Sequence, residues 1–174
     1  MTINAKAITQ ISILGALSFI SGFIAIPLGP VPITLQTLFV LLSGLLLHPK
    51  AAFFSQVIHM LLKLFIVGGQ AVLTPSFGFH FGFIAAAAIM AKWLAKRKGT
   101  AADYAVAVII GSTLIYLIGL PYMALILNGY LKAGYTVTKI MWIGMGLFIP
   151  GDILKAGLAV FIAKRLKKQV KSMV

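Results

Sequence analysis

The sequence predicts an all-α integral membrane protein of six transmembrane helices, and three observations predict it. Hydrophobic residues make up 61% of the 174 positions and mean hydropathy is +1.07, more apolar surface than one soluble core of this size buries. The apolar residues gather into six runs, most of them near the ~20 residues that cross a hydrocarbon core. The 15 basic residues sit mainly at the ends of those runs. The spans fall at about residues 7–26, 33–47, 51–67, 77–94, 104–127 and 141–163, and they leave so little chain between them that residues 1–174 form a single membrane domain.

The first span follows Lys6 and carries small residues at Ser12, Gly15, Ala16, Ser18 and Gly22. Such a strip lets another helix approach closely, either within the bundle or from a separate membrane subunit. It resembles a signal peptide, but five further spans follow, so it reads as a retained helix. The second span is short and either extends into the preceding Pro27-Leu-Gly-Pro-Val-Pro32 or meets a thinned or protein-shielded edge. Thr34, Gln36 and Thr37 lie at its outer part, where an amide suits either a ligand's amide-like or ureido-like group or an interhelical hydrogen bond. Lys63, in the outer half of the third span, either snorkels or lines a polar cavity.

The fourth span opens with Phe77-Gly78-Phe79-His80-Phe81-Gly82-Phe83. Gly78 and Gly82 form a G-x-x-x-G that permits close helix crossing. Phe77 and Phe81 share a face, as core packing or as an aromatic wall for a ligand. His80 has no second ligand at metal spacing, so neither a metal nor another cofactor is expected. The sixth span contains Pro150-Gly151-Asp152-Ile153-Leu154-Lys155. Pro150 suits the first turn of a helix, and Gly151 would let another backbone approach. Asp152 is one of only two acids. A charge at a helix centre in the bilayer costs roughly 2.5 to 3.5 kcal/mol on the insertion scale, so it needs a partner or a function. At spacing i, i+3 Asp152 and Lys155 reach each other. Either they only neutralise one another, or they form the recognition point of a pocket, which is the reading favoured here.

Sorting the basic residues by loop places both termini and the loop at residues 96–103 in the cytoplasm, because that side carries eleven and the opposite side two, Lys132 and Lys139. Three loops then face outward, at residues 27–32, 68–76 and 128–140. The first two are uncharged and rich in Gly and Pro, serving as lids or as plain connectors. There is no cysteine, no phosphate-cradling Gly-Lys-Ser/Thr loop, no nucleophile elbow and no carboxylate pair, which argues against an enzyme. The basic residues form no interleaved basic and aromatic surface, which argues against nucleic acid and leaves membrane lipid as their surroundings.

Two stretches, Gly29-Pro-Val-Pro-Ile-Thr-Leu-Gln-Thr-Leu-Phe-Val-Leu-Leu-Ser-Gly44 and Phe148-Ile-Pro-Gly-Asp-Ile-Leu-Lys-Ala156, resemble the BioY family, the substrate-binding S components of energy-coupling factor (ECF) vitamin transporters. The resemblance implies the S-component fold in the cell membrane and capture of a vitamin from outside, usually biotin. It implies as partners a transmembrane coupling subunit and two ABC-type ATPases. The family's acid and lysine carry over to Asp152 and Lys155, and Thr34 and Gln36 are the candidate ligand contacts of the second span. Docking through small residues of the first helix would carry over to Ser12, Gly15 and Ala16. Where biotin-binding relatives read Gly-Pro-Thr-Gly-Gly and then an aromatic, this chain has Thr74-Pro75-Ser76-Phe77-Gly78-Phe79; beside Ser76, Phe77 puts a bulky ring in place of a glycine at the mouth of the expected pocket, and Gln70 and His80 stand in for polar contacts supplied there by asparagine and arginine. That departure makes a flatter sulfur-ring acid such as lipoate the alternative ligand; independently of it, a stand-alone carrier in which Asp152 exchanges protons is the alternative mechanism.

Overall fold

Seven α-helices, two 3-10 turns, two π-helical stretches and one short hairpin make up the regular structure among residues 5–172, which a computed structural model of the protein describes. All six predicted spans lie within them; residues 1–4 and 173–174 of the predicted domain fall outside. The helices are α1 (Ala5–Ile20), α2 (Gln36–Leu46), α3 (Pro49–Val67), α4 (Gly78–Leu94), α5 (Ala101–Ala124), α6 (Val137–Met141) and α7 (Ile149–Ser172). Four segments are long and apolar enough to cross a membrane: Ala5–Phe23, Pro49–Val67, Ala101–Tyr130 and Val137–Lys167. The shorter apolar helices α2 and α4 complete the correspondence with the six apolar runs.

Span ends differ from expectation where proline and glycine intervene. The first helix stops at a 3-10 turn, Ser21–Phe23. Instead of continuing to residue 26, the chain forms strand β1 (Ala25–Ile26), antiparallel to β2 (Ile33–Thr34). Pro27, Pro30 and Pro32 cannot extend a helix, and Gly29 takes φ +94°, a conformation that favours glycine. The second helix therefore starts at Gln36 rather than residue 33 and is shorter than a full span. The last segment begins at Val137, passes through a π-helical stretch, Trp142–Gly146, and enters α7 at Ile149. Pro150 thus occupies the first turn of α7, as its missing N–H allows, at a break inside a longer helical segment. Gly151 makes no close approach, since a Cβ added there would meet nothing within 4 Å.

Small residues set the helix packing. The G-x-x-x-G of α4 lies against α5: a Cβ on Gly82 would stand 2.9 Å from the Ile115 carbonyl oxygen, and Gly78 faces Tyr122. On α1, Gly15 is taken up by contact with α3, where a Cβ would come 2.7 Å from the Ser55 carbonyl oxygen. Gly15 is therefore buried inside the bundle rather than offered to a partner, while Ser12 is exposed and Ala16 half-buried. Between these pairs runs α2, packed on α1, α4 and α7 through buried Val40, Leu41, Leu42 and Leu45. The second acid, Asp103, closes a capping box at the start of α5, accepting from the Thr100 N–H at 2.9 Å. Asp152 is left as the acid of the bundle interior.

Candidate functional site

The π-helical stretch and break before α7 place Asp152 in that helix's first turn, facing α2 and α5. Its carboxylate is held from three elements. Lys155 Nζ lies 2.5 Å from Oδ1, Thr37 Oγ1 of α2 donates to Oδ1 at 3.3 Å, and the Tyr116 hydroxyl of α5 donates to Oδ2. Lys155 also donates to the Thr34 carbonyl of β2 at 3.1 Å. The ion pair is 8% and 16% exposed, so a low dielectric strengthens both attraction and desolvation cost. Thr34 in turn fixes the start of α2: its hydroxyl accepts the Gln36 N–H at 3.3 Å and donates to Gln36 Oε1 at 3.2 Å.

From Gln36 a directed chain of hydrogen bonds runs into the interior. An amide nitrogen only donates, so Gln36 Nε2 gives its hydrogen to His59 Nε2 at 3.1 Å. The proton of His59 is then on Nδ1, which donates to Gln56 Oε1 at 3.1 Å. Gln56 Nε2 passes the direction on to Ser43 Oγ at 2.9 Å and Ser18 Oγ at 3.2 Å. His59, Gln56, Ser43 and Ser18 are all fully buried, and each has a partner, as buried polar groups require. Gly22 makes room for this arrangement, because a Cβ there would come 2.5 Å from Gln36 Nε2.

The near ends of both networks, Asp152, Lys155, Thr34 and Gln36, border a cavity of about 90 Å³. Thr34, Gln36, Thr37, Asp152, Lys155 and Tyr116 supply one polar wall; Lys63, Ser76 and His80 supply another; Phe79, Phe83, Ile115 and Phe148 are apolar. Val31 and Pro32 of the hairpin loop roof it. The loop at residues 27–32 is therefore part of the site rather than a plain connector.

Of the predicted site residues, Asp152, Lys155, Gln36, Thr34, Ser76 and His80 meet at the cavity. Two do not. Gln70 is exposed on the 3-10 turn Gly69–Leu73, outside the lining. Phe77 is buried away from it, edge-on to Phe81 at 5.6 Å between ring centres, stacked on His80 at 5.3 Å and beside Tyr122 at 6.3 Å. Its face-sharing with Phe81 is thus packing of α4 on α5. Sequence reasoning missed Tyr116, His59 and Gln56. On α3 the signal was present: Gln56, His59 and Lys63 at spacings of three and four lie on one helical face.

An apolar helical bundle with a buried charged pair, amide and hydroxyl groups converging on an enclosed cavity defines a multi-pass membrane protein that captures a small polar solute. The model of the BioY family matches residues 1–172, and the chain belongs to the BioY family. It is 33% identical over 171 residues to the biotin transporter BioY of Thermotoga maritima, covering 94% of this chain and 96% of that one. To the probable biotin transporter BioY of Lysinibacillus sphaericus it is 33% identical over 177 residues, covering 97% and 90%. The crystal structure of an S-component for biotin from an ECF-type ABC transporter superposes with a TM-score of 0.79 at 25% identity, covering 94% of this chain and 91% of that one. The S-component fold and the transporter class follow.

Proposed function

We propose that the protein is the substrate-binding membrane subunit of an ECF-type transporter and captures biotin from outside the cell. The observation that carries this reading is the Asp152–Lys155 pair held open to the cavity by Thr37, Tyr116 and Thr34. A ureido ring presents two N–H donors and one carbonyl acceptor, which suit a carboxylate and an ammonium fixed side by side. The apolar wall of Phe79, Phe83 and Phe148 suits the fused ring system and chain. The biotin transporters to which the chain is similar support the same ligand. The excess of basic residues at one set of loops supports an outward-facing mouth. Energy comes from a transmembrane coupling subunit and two ABC-type ATPases, since this chain carries no phosphate-binding loop of its own.

The steric case for lipoate rested on Phe77 crowding the mouth, and that ring packs on Tyr122 and Phe81 instead. Lipoate also offers no N–H group to Asp152, and a site built for hydrogen bonds discriminates strongly against a ligand that lacks them. Calorimetric titration of the purified protein tests the reading. Biotin is expected to bind at one site, and lipoate at least about tenfold more weakly. No biotin binding, or equal affinity for the two acids, overturns it.

A further inference from the structure

The charges around the cavity do not balance. Asp152 and Lys155 cancel at 2.5 Å, leaving Lys63 as a cation in the lining with no hydrogen bond or ion pair among the described residues. Lys63 lies four residues before the end of α3, Ser76 lies in the turn that leads into α4 and His80 in the first turn of that helix, so the three share the α3–α4 side of the cavity. The ion pair approaches from α7 and is braced by α2, α5 and β2. The site therefore has two polar walls of different character, one neutral overall and one cationic.

A second polar atom on the cationic wall also lacks a partner. His80 is 3% exposed, and its Nδ1 lies 3.1 Å from the Phe77 carbonyl oxygen. A carbonyl only accepts, so Nδ1 carries the proton and Nε2 is the free acceptor. That Nε2 is buried without a hydrogen-bond partner. Native buried nitrogens are nearly always paired, and His80 belongs to the cavity lining, so the occupied site is where its missing donor would be supplied.

We propose that Lys63 is the specificity-determining residue for the ligand's acidic tail: its ammonium takes a carboxylate, with Ser76 donating to the same group and a water bridging a carboxylate oxygen to His80 Nε2. This rests on the biotin reading above and adds an orientation and a charge requirement. The ureido end lies at Asp152 and Lys155, and the carboxylate end at Lys63. An unpaired cation in a partly dry cavity gains most from a ligand that cancels it, so the protein selects monoanions over neutral analogues of the same shape. The bridging water donates one hydrogen to Nε2 and the other to the carboxylate, satisfying both acceptors.

The test compares biotin with biotinamide, which keeps the rings and chain but carries no charge, in the wild type, Lys63→Met and Lys63→Arg. The wild type is expected to prefer biotin by about ten- to a hundredfold, the range of one charged hydrogen bond. Lys63→Met should weaken biotin far more than biotinamide and so lose that preference, and Lys63→Arg should keep it. Retention of the preference in Lys63→Met overturns the inference. Equal weakening of both ligands overturns it too, because Lys63 would then be supporting the fold. A wild type that binds neither compound defeats the biotin reading itself and the inference built on it, an outcome distinct from the other two.

Discussion

Lys155 donates to the Thr34 carbonyl at 3.1 Å, joining the last helix to the hairpin that roofs the cavity across 121 residues of sequence. The same ammonium is bound to Asp152, so one cation fixes both the recognition carboxylate and the roof. Lys155→Met should release β2 and leave Asp152 without its counter-ion. Removing one partner of a buried pair costs about 3–5 kcal/mol in general. Hydrogen exchange at residues 25–34 should quicken, and biotin affinity should fall by at least about a hundredfold. Unchanged exchange in the hairpin would show that the roof does not depend on this contact.

Asp152→Asn keeps the side-chain shape and the acceptor for Tyr116, but removes the negative charge facing Lys155 and the ligand. The amount of protein in the membrane should stay near wild type while biotin affinity drops about ten- to a hundredfold, the range for a charged hydrogen bond. Titration alongside quantitative immunoblotting separates the two effects. Loss of protein with affinity intact would make the pair a packing device only.

Tyr116 supplies a donor to Asp152 Oδ2 from α5. Tyr116→Phe leaves that oxygen one partner short with no change of ring shape. Affinity should fall by about five- to tenfold, in line with one hydrogen bond of about 1 kcal/mol or slightly more. An affinity equal to wild type would mean that Lys155 and Thr37 suffice to position the carboxylate.

The apolar runs, the close-packing glycines of α4 and the Asp152–Lys155 pair were legible in the sequence because each depends on local periodicity. Six runs map in order onto the helices, and i, i+3 spacing brings acid and base together wherever the helix goes. Tyr116 was not legible, since nothing local ties residue 116 to residue 152; only the packing of α5 beside α7 does. Gln70 and Phe77 were placed by their position in a loop and helix start, yet the 3-10 turn faces Gln70 outward and the α4–α5 contact takes up Phe77. Ser18 and Gly22 read as members of a small-residue strip open either to the bundle or to a separate subunit, and in the fold they admit Gln56 and Gln36 from inside. Sequence shows that a strip is small, whereas the fold decides which side is approached.

Gly82 and Gly151 should respond oppositely to alanine. A Cβ on Gly82 meets the Ile115 backbone at 2.9 Å, and backbone cannot yield as a flexible side chain does, so Gly82→Ala must push α4 off α5. A Cβ on Gly151 meets nothing within 4 Å, and alanine favours helix over glycine by up to about 1 kcal/mol. Thermal unfolding in detergent should fall for Gly82→Ala and hold or rise for Gly151→Ala. Destabilisation by Gly151→Ala would reveal a close neighbour at the start of α7.

The chain Gln36, His59, Gln56, Ser43 and Ser18 predicts a ranking of stability losses. His59→Phe keeps a ring that can stack on Phe83, as His59 does at 5.7 Å between centres, but it strands both the Gln36 amide and Gln56 Oε1. Each stranded group costs about 1–3 kcal/mol. Gln56→Leu strands only His59 Nδ1–H, because Ser43 and Ser18 keep their own bonds to the Phe39 and Leu14 carbonyls at 2.8 Å. His59→Phe should therefore lower the unfolding temperature more than Gln56→Leu. Because His59 also steadies Gln36 at the cavity wall, biotin affinity should fall further in His59→Phe than in Gln56→Leu. Thermal unfolding and calorimetric titration of the two variants check both orders, and a larger loss in Gln56→Leu would refute the direction assigned to the chain.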